Sequence, residues 1–460
     1  MKQFALLIVL ISTVAAADDP RLKNATRQDK NGWISVHLEG QPSDIGYQHG
    51  CLLAAEIDDL IRTQDFYYTT TLKRDWKFYR GAAERIFWPK LDKEYQDEIK
   101  GIAEGVRAKG YKLDYLDIAA SNAFIEISSY YVPLLMEKEK KGSGENKAPG
   151  YCSAFIATGS YTADGKIVMA HNNWSEYIIG ERWRVIADVK PSQGYHFVMD
   201  CLPGFIHSGD DFAINEAGLL YTETTITQFM GFDSTKTPEF VRARKAIQYG
   251  KSIDDFVRIM TTGNNGGYAN DWLVGDNSTN EIARVELGLK NHRVWRTKDG
   301  VYVGANFASD EKLLAEETKF DTKDATSSPN ARKIRWQQLV EPNKGRITFE
   351  MAKLFEGDHT DANLGASANN RCVLCGHNDE DSLGTKEWSW APFFPGGAVQ
   401  GKVTSGELAK DLTFWARMGH PCGADFLAEP FFKAHPEHAW QGKFLKDMKS
   451  YPWTMVEAKR

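Results

Sequence analysis

Cys152 is the residue whose chemical type and position most directly suggest catalysis. It follows a polar stretch, residues 137–149, and begins an apolar run, residues 153–158. Cleavage after Tyr151 would free an α-amino group with a pKa of about 7.7–8.0, beside a thiol with a pKa of about 8.5. One residue would then supply both the nucleophile and the general base for acyl transfer. The alternative is a buried structural cysteine, since free cysteine is among the most buried residue types.

A second group of sulfur and imidazole side chains lies in the segment from Cys372 through Cys375 to His377. Haem attachment requires a histidine directly after the second cysteine, and here a glycine intervenes. A zinc site requires a second pair of ligands, and His359 and Cys422 are only loosely available. For an exported protein we predict a short-loop disulfide between Cys372 and Cys375. We predict no metal and no other cofactor.

Composition and missing motifs exclude several other classes of protein. Among 460 residues, 42% are hydrophobic and 26% charged, which is typical of a globular chain. The 56 basic and 62 acidic side chains leave a net charge of -6. The sequence has no stripe of basic residues, so we predict no nucleic-acid partner. The chain has no serine-lipase elbow, Walker loop or zinc-protease helix. The glycine-rich run at 263–267 is interpreted as a turn.

The first residues have the order of a secretory signal. Lys2 precedes an apolar run at 4–14, which small alanines and two aspartates follow. The run is too short to span a bilayer, so we predict removal of residues 1–17, export, and no stable transmembrane anchoring. Asn24, Asn173 and Asn277 are sequons that matter only in a glycosylating host, and Asn173 falls in a predicted strand.

Hydrophobic periodicity divides the remaining chain into two parts. Residues 18–151 are predicted to be a mainly helical N-terminal fragment that ends in a mobile linker at 137–150, and residues 152–460 a catalytic core. Predicted helices cover residues 42–62, 91–106, 116–127, 238–249, 253–261, 330–339 and 405–417. Predicted strands cover residues 33–38, 153–158, 167–171, 183–189, 196–201, 211–214, 219–225, 271–274, 282–287 and 301–303. This order predicts an α+β fold with layered sheets.

Several sequence motifs follow one another from Cys152 onward. The first two are Gly150-Tyr151-Cys152-Ser153-Ala154-Phe155-Ile156 and Val168-Met169-Ala170-His171-Asn172-Asn173-Trp174. Further motifs lie at 203–212, 218–225, 268–272 and 402–405. In sequence and order they resemble the phospholipase B-like family, whose members are exported or lysosomal N-terminal nucleophile hydrolases. Together these motifs cover most of residues 150–415. A helix that opens with Gly46-Tyr47-Gln48-His49-Gly50 is similar to acyltransferases that process penicillins.

The resemblance implies a four-layer αββα fold and self-cleavage between Tyr151 and Cys152. It also implies that His171 orients or polarises Cys152, with a hydrogen-bonded core histidine as the alternative. Asn270 matches a position whose amide helps to form the oxyanion hole; the alternative is an asparagine that closes a turn. The chain departs from the family at Asp271, where relatives often carry an amide. Trp174 stands where more distant acylases place an aspartate near the amine of the nucleophile.

The function that this resemblance implies is a secreted, self-processed hydrolase of lipid acyl ester or amide bonds, which acts through an acyl-thioester. Its compartment would be extracellular, lysosomal or periplasmic, depending on the host, and its two fragments are expected to remain associated. One alternative is an amidase or acyltransferase that acts on small N-acyl amines or peptides. A non-enzyme alternative is a lipid- or sugar-binding module that keeps the fold with a silent site.

Overall fold

A computed structural model describes residues 19–138 and 152–459. The predicted signal segment 1–17, most of the predicted linker and Tyr151 lie outside the described residues. The linker was predicted to begin at Glu137, but residues 137 and 138 belong to the end of a helix. The division into an N-terminal fragment and a catalytic core at residue 152 stays a prediction.

The strands of the described residues lie mostly after Cys152. In chain order they are β1 (Thr26–Lys30), β2 (Trp33–Gly40), β3 (Ser153–Thr158), β4 (Val168–Glu176), β5 (Val185–Pro191), β6 (Phe197–Cys201), β7 (Ala213–Asn215), β8 (Leu219–Thr225), β9 (Asn270–Asp276), β10 (Glu281–Leu287), β11 (His292–Thr297), β12 (Gly300–Gly304), β13 (Thr360–Asp361), β14 (Ala366–Ser367), β15 (Gly396–Ser405), β16 (Thr413–Met418) and β17 (Thr454–Glu457).

The α-helices of the same residues cover both ends of the chain and its middle. They are α1 (Pro42–Leu52), α2 (Ala54–Leu72), α3 (Trp76–Ala82), α4 (Lys93–Ala108), α5 (Tyr115–Asn122), α6 (Phe124–Glu126), α7 (Val132–Lys138), α8 (Tyr177–Gly180), α9 (Glu239–Tyr249), α10 (Ile253–Thr261), α11 (Glu311–Glu317), α12 (Ser328–Val340), α13 (Phe349–Glu356), α14 (Gly406–Ala409) and α15 (Ala428–Ala434).

Two large sheets pack face to face. Within the described residues one sheet has nine strands in the order β1-β2-β5-β6-β7-β8-β9-β10-β11, and the other has six in the order β12-β3-β4-β15-β16-β17. Neighbouring strands are antiparallel except for the parallel pair β2 and β5. Leu220 and Leu273 of the larger sheet and Met169 and Phe414 of the smaller one share a single buried core between the sheets.

Helices cover the outer face of each sheet. The larger sheet packs Val36 and Val274 into a core with residues of α1, α2, α4 and α9, and the smaller sheet packs Phe155 against Trp336 of α12. The predicted α+β class with four layers, αββα, is confirmed. The N-terminal segment is mainly helical, but it also supplies β1 and β2 to the larger sheet.

The glycines of the Gly46 to Gly50 segment permit a very close contact between α1 and α4. A Cβ atom at Gly46 would lie 2.0 Å from the Glu98 carbonyl oxygen, and one at Gly50 would lie 2.1 Å from the Ile102 carbonyl oxygen. Such distances exclude any side chain. The glycines of this motif therefore serve helix packing on the outer face of the larger sheet.

The helix predicted at 405–417 is wrong. Residues Gly396–Ser405 form β15, which pairs with β4 on one side and β16 on the other. Ser405 does cap a helix by accepting a hydrogen bond from the Leu408 amide, but that helix ends at Ala409. After Ala409 the chain turns at Leu412, whose φ angle is +51°, and Thr413–Met418 form β16 instead of the rest of the predicted helix.

Candidate active site

Cys152 lies directly before β3 and is fully buried. Strand β3 pairs with β4, and in their antiparallel register Ala154 lies opposite His171. Both strands are interior strands of the smaller sheet. The hydrogen bonds of the sheet therefore fix the position of Cys152 and of His171 on adjacent strands.

The Cys152 thiol, the His171 imidazole and the Glu223 carboxyl group converge between the two sheets. Cys152 Sγ lies 3.9 Å from Glu223 Oε1, and each residue of the three places one polar atom within 4.8 Å of the others. Glu223 comes from β8 of the opposite sheet and accepts a hydrogen bond from the Tyr268 hydroxyl at 3.0 Å. Three such atoms could bind a metal ion, and they equally suit proton transfer around a nucleophilic thiol.

Burial shifts the pKa of each of these three groups toward its neutral form. Burial raises the pKa of the Cys152 thiol well above its ordinary value, and the Glu223 and Asp210 carboxyl groups add to that effect. Burial and then the Lys402 charge lower the pKa of His171 well below its ordinary value. Burial also raises the pKa of Glu223. In the uncut chain the thiol is therefore protonated and only weakly nucleophilic.

A buried lysine and two aspartates lie beside this group. The Nζ atom of Lys402, in β15, lies 3.0 Å from Asp200 Oδ2 and also contacts Asp210 Oδ2. Asp210 Oδ2 in turn lies 3.9 Å from His171 Nδ1. Because all of these side chains are buried, the lysine charge requires its acidic partners, and Asp210 lies near the imidazole without a hydrogen bond to either ring nitrogen.

Arg332 of α12 holds the backbone of the nucleophile. Its Nη1 atom donates to the Cys152 carbonyl oxygen at 2.6 Å and to the Ser153 hydroxyl at 3.0 Å. The guanidinium group also lies over the Trp174 ring, 4.3 Å from the ring centroid. Burial lowers the pKa of Arg332 to about 9. Arg332 thus ties the outer helical layer to the first residue of β3.

Asn270 begins β9 and is fully buried. Its amide lies between Glu223 and Asp211, and in the orientation that satisfies both amide atoms Nδ2 donates to Glu223 Oε2 at 2.8 Å. The neighbouring Asp271 accepts two hydrogen bonds from Arg284 Nε, at 2.8 Å and 3.0 Å, and burial raises its pKa to about 7. The charge that the sequence places beside Asn270 is thus matched by an arginine. The role of Asn270 as an oxyanion donor stays a prediction.

Two neighbouring cavities lie near the site, although Cys152 itself lines neither of them. The inner one has a volume of only about 10 Å³ and is lined by Trp174 and by Tyr268, which donates to Glu223. The outer one is a cleft of about 150 Å³ whose walls combine aromatic side chains, among them Trp388 and Trp390, with polar ones. Glu176 lines both cavities. The cleft is therefore linked to the site through the small inner cavity and Tyr268.

Comparison with known proteins identifies the family of this chain. Residues 51–295, slightly more than half of the chain, match the family model described as Phospholipase B. The chain belongs to the phospholipase B family. Among the described residues, no helix is both long and apolar enough to cross a membrane.

The similar proteins are distant relatives. An uncharacterized protein of Archaeoglobus fulgidus is 26% identical over 317 residues, which cover 61% of this chain and 49% of that protein. A protein named as phospholipase B-like 1 in Caenorhabditis elegans is 26% identical over 388 residues, which cover 75% of this chain and 66% of that protein. The chain thus spans about half to two thirds of the length of these relatives. Among solved structures, a mutant of the conjugated bile acid hydrolase from Clostridium perfringens has a TM-score of 0.34 at 11% identity, covering 58% of this chain and 89% of that one.

In this member of the phospholipase B family, the predicted residues Cys152 and His171 do come together, whereas Glu223 and Arg332 were not predicted as site residues. Glu223 is a carboxylate in β8, a strand that is buried along its whole length. A buried carboxylate of this kind is a usable signal of function. Arg332 lies one helical turn before Arg335, but Arg335 instead pairs with Asp358, each of its two nitrogens at 2.7 Å. The sequence pattern of a helix does not tell which of its arginines is buried.

The predicted disulfide between Cys372 and Cys375 does not form in this structure. Both are free thiols, and Cys372 Sγ lies 3.8 Å from the Thr326 carbonyl oxygen. The Cys375 sulfur instead lies within 4.8 Å of the Cys422 sulfur. A short sequence separation brings two cysteines near each other without directing their side chains together. The sequon residue Asn173 is 2% exposed, as its predicted strand position implied.

Proposed function

We propose that this protein is a self-maturing hydrolase that cleaves acyl ester bonds of lipids with Cys152 as its N-terminal nucleophile. The observation that carries the proposal is the position of Cys152. It begins an interior strand, its thiol faces Glu223 and His171, and Arg332 holds its carbonyl group. Membership in the phospholipase B family supports lipid as the substrate class.

Maturation begins with attack of Cys152 Sγ on the carbonyl carbon of residue 151. A sulfur–carbon bond forms, the peptide C–N bond breaks, and the thiol proton passes to the departing nitrogen, which becomes the free α-amino group. Water then hydrolyses the thioester, leaving a carboxyl group on residue 151 and a free thiol on Cys152. The departing nitrogen of the scissile bond belongs to Cys152 itself, so no substrate has to enter the buried site for this step.

Turnover uses the same thiol with its new amine. The α-amino group accepts the thiol proton as Sγ attacks the ester carbonyl, and it returns that proton to the departing alcohol oxygen. Asn270 donates to the developing oxyanion, as its match to the family position implies. Water, deprotonated by the same amine, then hydrolyses the acyl-thioester. His171 orients the thiol, and the Asp210 carboxylate near its Nδ1 atom supports this role.

The cleft supports an acyl chain as the part of the substrate that is recognised. Its aromatic and aliphatic walls match a hydrocarbon chain. The small inner cavity, lined by Trp174 and Tyr268, shares Glu176 with the cleft, and Tyr268 donates to Glu223 beside the thiol. We infer that the acyl chain binds in the cleft with its carbonyl group directed at Cys152. The predicted export and the predicted boundaries at residues 17 and 151 belong to the same proposal.

The intact mass and N-terminal sequence of the purified protein test the maturation step. We expect two fragments, the second beginning at Cys152, that copurify in native buffer and separate in denaturant. They should stay together because β2 of the first fragment pairs with β5 of the second over seven residues. Cys152→Ala should remain uncut and inactive, whereas Cys201→Ala, which removes another fully buried thiol, should be processed normally.

A substrate panel tests the chemistry of turnover. Mature protein is offered phospholipids of increasing acyl length and N-acyl amines with the same chains. Ester hydrolysis that improves with chain length would support the proposal. Preference for N-acyl amines would assign an amidase, and ligand binding without turnover in both the native protein and Cys152→Ala would assign a binding module. An uncut chain with full activity would overturn the proposal.

A further inference from the structure

Four potential metal ligands converge beneath the smaller sheet, away from Cys152. They are His359, Cys375, His377 and Cys422, and one ligand atom from each lies within 4.8 Å of all the others. The two histidine Nε2 atoms are 3.2 Å apart, and Cys422 Sγ lies 3.7 Å from His377 Nε2. Cys375 and His377 are buried, whereas His359 and Cys422 are partly exposed.

These distances match the edges of a tetrahedron around zinc. Zinc binds thiolate sulfur at about 2.3 Å and imidazole nitrogen at about 2.0–2.1 Å, so neighbouring ligand atoms lie about 3.3–3.8 Å apart. Two imidazole nitrogens that face each other at 3.2 Å cannot both use their lone pairs without a shared cation or proton. Two sulfurs and two imidazoles are also the donor set of closed structural zinc sites.

The surroundings orient both imidazoles for metal binding. His359 Nδ1 lies 2.8 Å from Asn369 Oδ1, so Nδ1 carries the hydrogen and Nε2 keeps its lone pair for a ligand. On His377, Nδ1 lies 4.0 Å from both Asp379 Oδ1 and Glu380 Oε1. The His420 ring stacks on His377 with centroids 4.2 Å apart, which fixes the plane of the ring.

We propose that His359, Cys375, His377 and Cys422 bind one zinc ion in a closed, structural Cys2His2 site. The sequence predicted no metal because His359 and Cys422 are far from the other two ligands in the chain. The fold brings together three segments: the one after α13, the one before β15 and the one after β16.

The proposed ion would stabilise the loop around Cys375, which is hydrogen-bonded to β4. The carbonyl oxygen of Leu374, next to the ligand Cys375, accepts hydrogen bonds from Asn172 Nδ2 and from Trp174 Nε1, both at 3.1 Å. Asn172 also donates to the Glu356 carbonyl oxygen at the end of α13. Zinc therefore would stabilise the strand that carries His171 without touching the reacting atoms.

Metal analysis of the full chain tests the site. We expect protein purified without chelators to carry zinc in equal molar amount, and its cobalt-substituted form to show sulfur-to-cobalt charge-transfer absorption. Cys422→Ser and His359→Gln should each lower zinc affinity at least ~10-fold. Cys372→Ser is the matched control because its thiol is three residues from Cys375 but outside the cluster, and it should keep the metal.

Specific results would overturn the proposal. One is wild-type protein that remains without metal after incubation with zinc chloride and dialysis. Another is a disulfide that joins Cys375 to Cys422 or Cys372 in a peptide map of unreduced protein. Zinc content that stays unchanged in both ligand variants would also exclude the site. If a variant fails to fold, the wild-type metal content and peptide map still decide. Because neither readout involves catalysis, failure of this proposal is separate from failure of the proposed hydrolase activity.

Discussion

At the residue scale, the site of Cys152 is a set of buried polar groups that balance one another. Burial shifts the pKa of the thiol, of His171 and of Glu223 toward their neutral forms, while Lys402 contacts Asp200 and Asp210. A protonated thiol in a dry site is protected from oxidation and from side reactions before maturation. The same burial explains why the proposed mechanism needs the α-amino group, which exists only after cleavage, as its base.

Replacement of Arg332 tests whether this side chain positions Cys152 for self-cleavage. Arg332→Lys keeps a positive charge but loses the planar group that reaches both Cys152 and Ser153. Loss of a buried hydrogen bond of about 1–3 kcal/mol predicts self-cleavage that is roughly 5- to 150-fold slower. The rate is measured from the appearance of the two fragments in a time course after refolding.

The control for this variant lies in the same helix. Arg335→Lys, one turn later in α12, changes a residue that pairs with Asp358 rather than with Cys152. It should process at the wild-type rate. Equal rates for Arg332→Lys and the wild type would show that the contact with the Cys152 carbonyl group has no role in maturation.

At the element scale, β4 packs closely against the loop that contains Gly376. Gly376 of that loop has a φ angle of +61°, and a Cβ atom there would lie 2.2 Å from Trp174 Cζ2. Trp174 is fully buried and contacts Arg332, so it has no room to move aside. The glycine therefore permits the close contact between the loop and the strand.

Gly376→Ala should accordingly destabilise the protein through two effects. The left-handed backbone costs about 1–2 kcal/mol for alanine, and the contact with Trp174 adds about 1–3 kcal/mol of overpacking. Gly110→Ala is the matched control, because Gly110 also has a positive φ angle but nothing within 4 Å of its Cβ position. Thermal unfolding should show a clearly larger loss for Gly376→Ala. Equal losses would contradict the close contact with Trp174.

At the scale of the whole molecule, buried carboxyl groups couple stability to pH. Burial raises the pKa of Glu126, in α6, from 4.5 to about 7. Glu126 accepts from the Glu239 amide at the start of α9 and shares a buried cluster with the Glu239 and Arg242 side chains. It thus joins the N-terminal helices to the part of the chain after Cys152.

The sign of this effect follows from proton binding. Between pH 4.5 and about 7 the folded protein keeps the Glu126 proton while the unfolded chain releases it, so stability falls as pH rises. The Glu126 contribution is complete below pH 4.5 and declines by roughly 3 kcal/mol up to pH 7. Denaturant unfolding at several pH values should show that Glu126→Gln makes this decline shallower. Glu84→Gln, at an exposed site, should leave it unchanged; an unchanged decline in Glu126→Gln would refute the assignment.

Local sequence was sufficient for many individual elements. Strands β3 and β8 have the predicted bounds, because short runs rich in β-branched and apolar residues have few other local solutions. The predicted α10 also has the observed bounds, since its apolar residues keep a helical spacing and Ser252 caps its first turn. The helix predicted at 405–417 is wrong because pairing with β15 and β17 makes Thr413–Met418 a strand, and this tertiary contact overrides the local spacing.

The sequence by itself determined the layered α+β class, the family resemblance and the candidate nucleophile Cys152, because these depend on local patterns of residue type. Only the tertiary structure decided which side chains meet that nucleophile. Glu223 comes from the opposite sheet and Arg332 from an outer helix, so no spacing along the chain relates them to Cys152. The same reason applies to His359 and Cys422: packing, rather than sequence separation, brings their side chains to Cys375 and forms the Cys2His2 cluster.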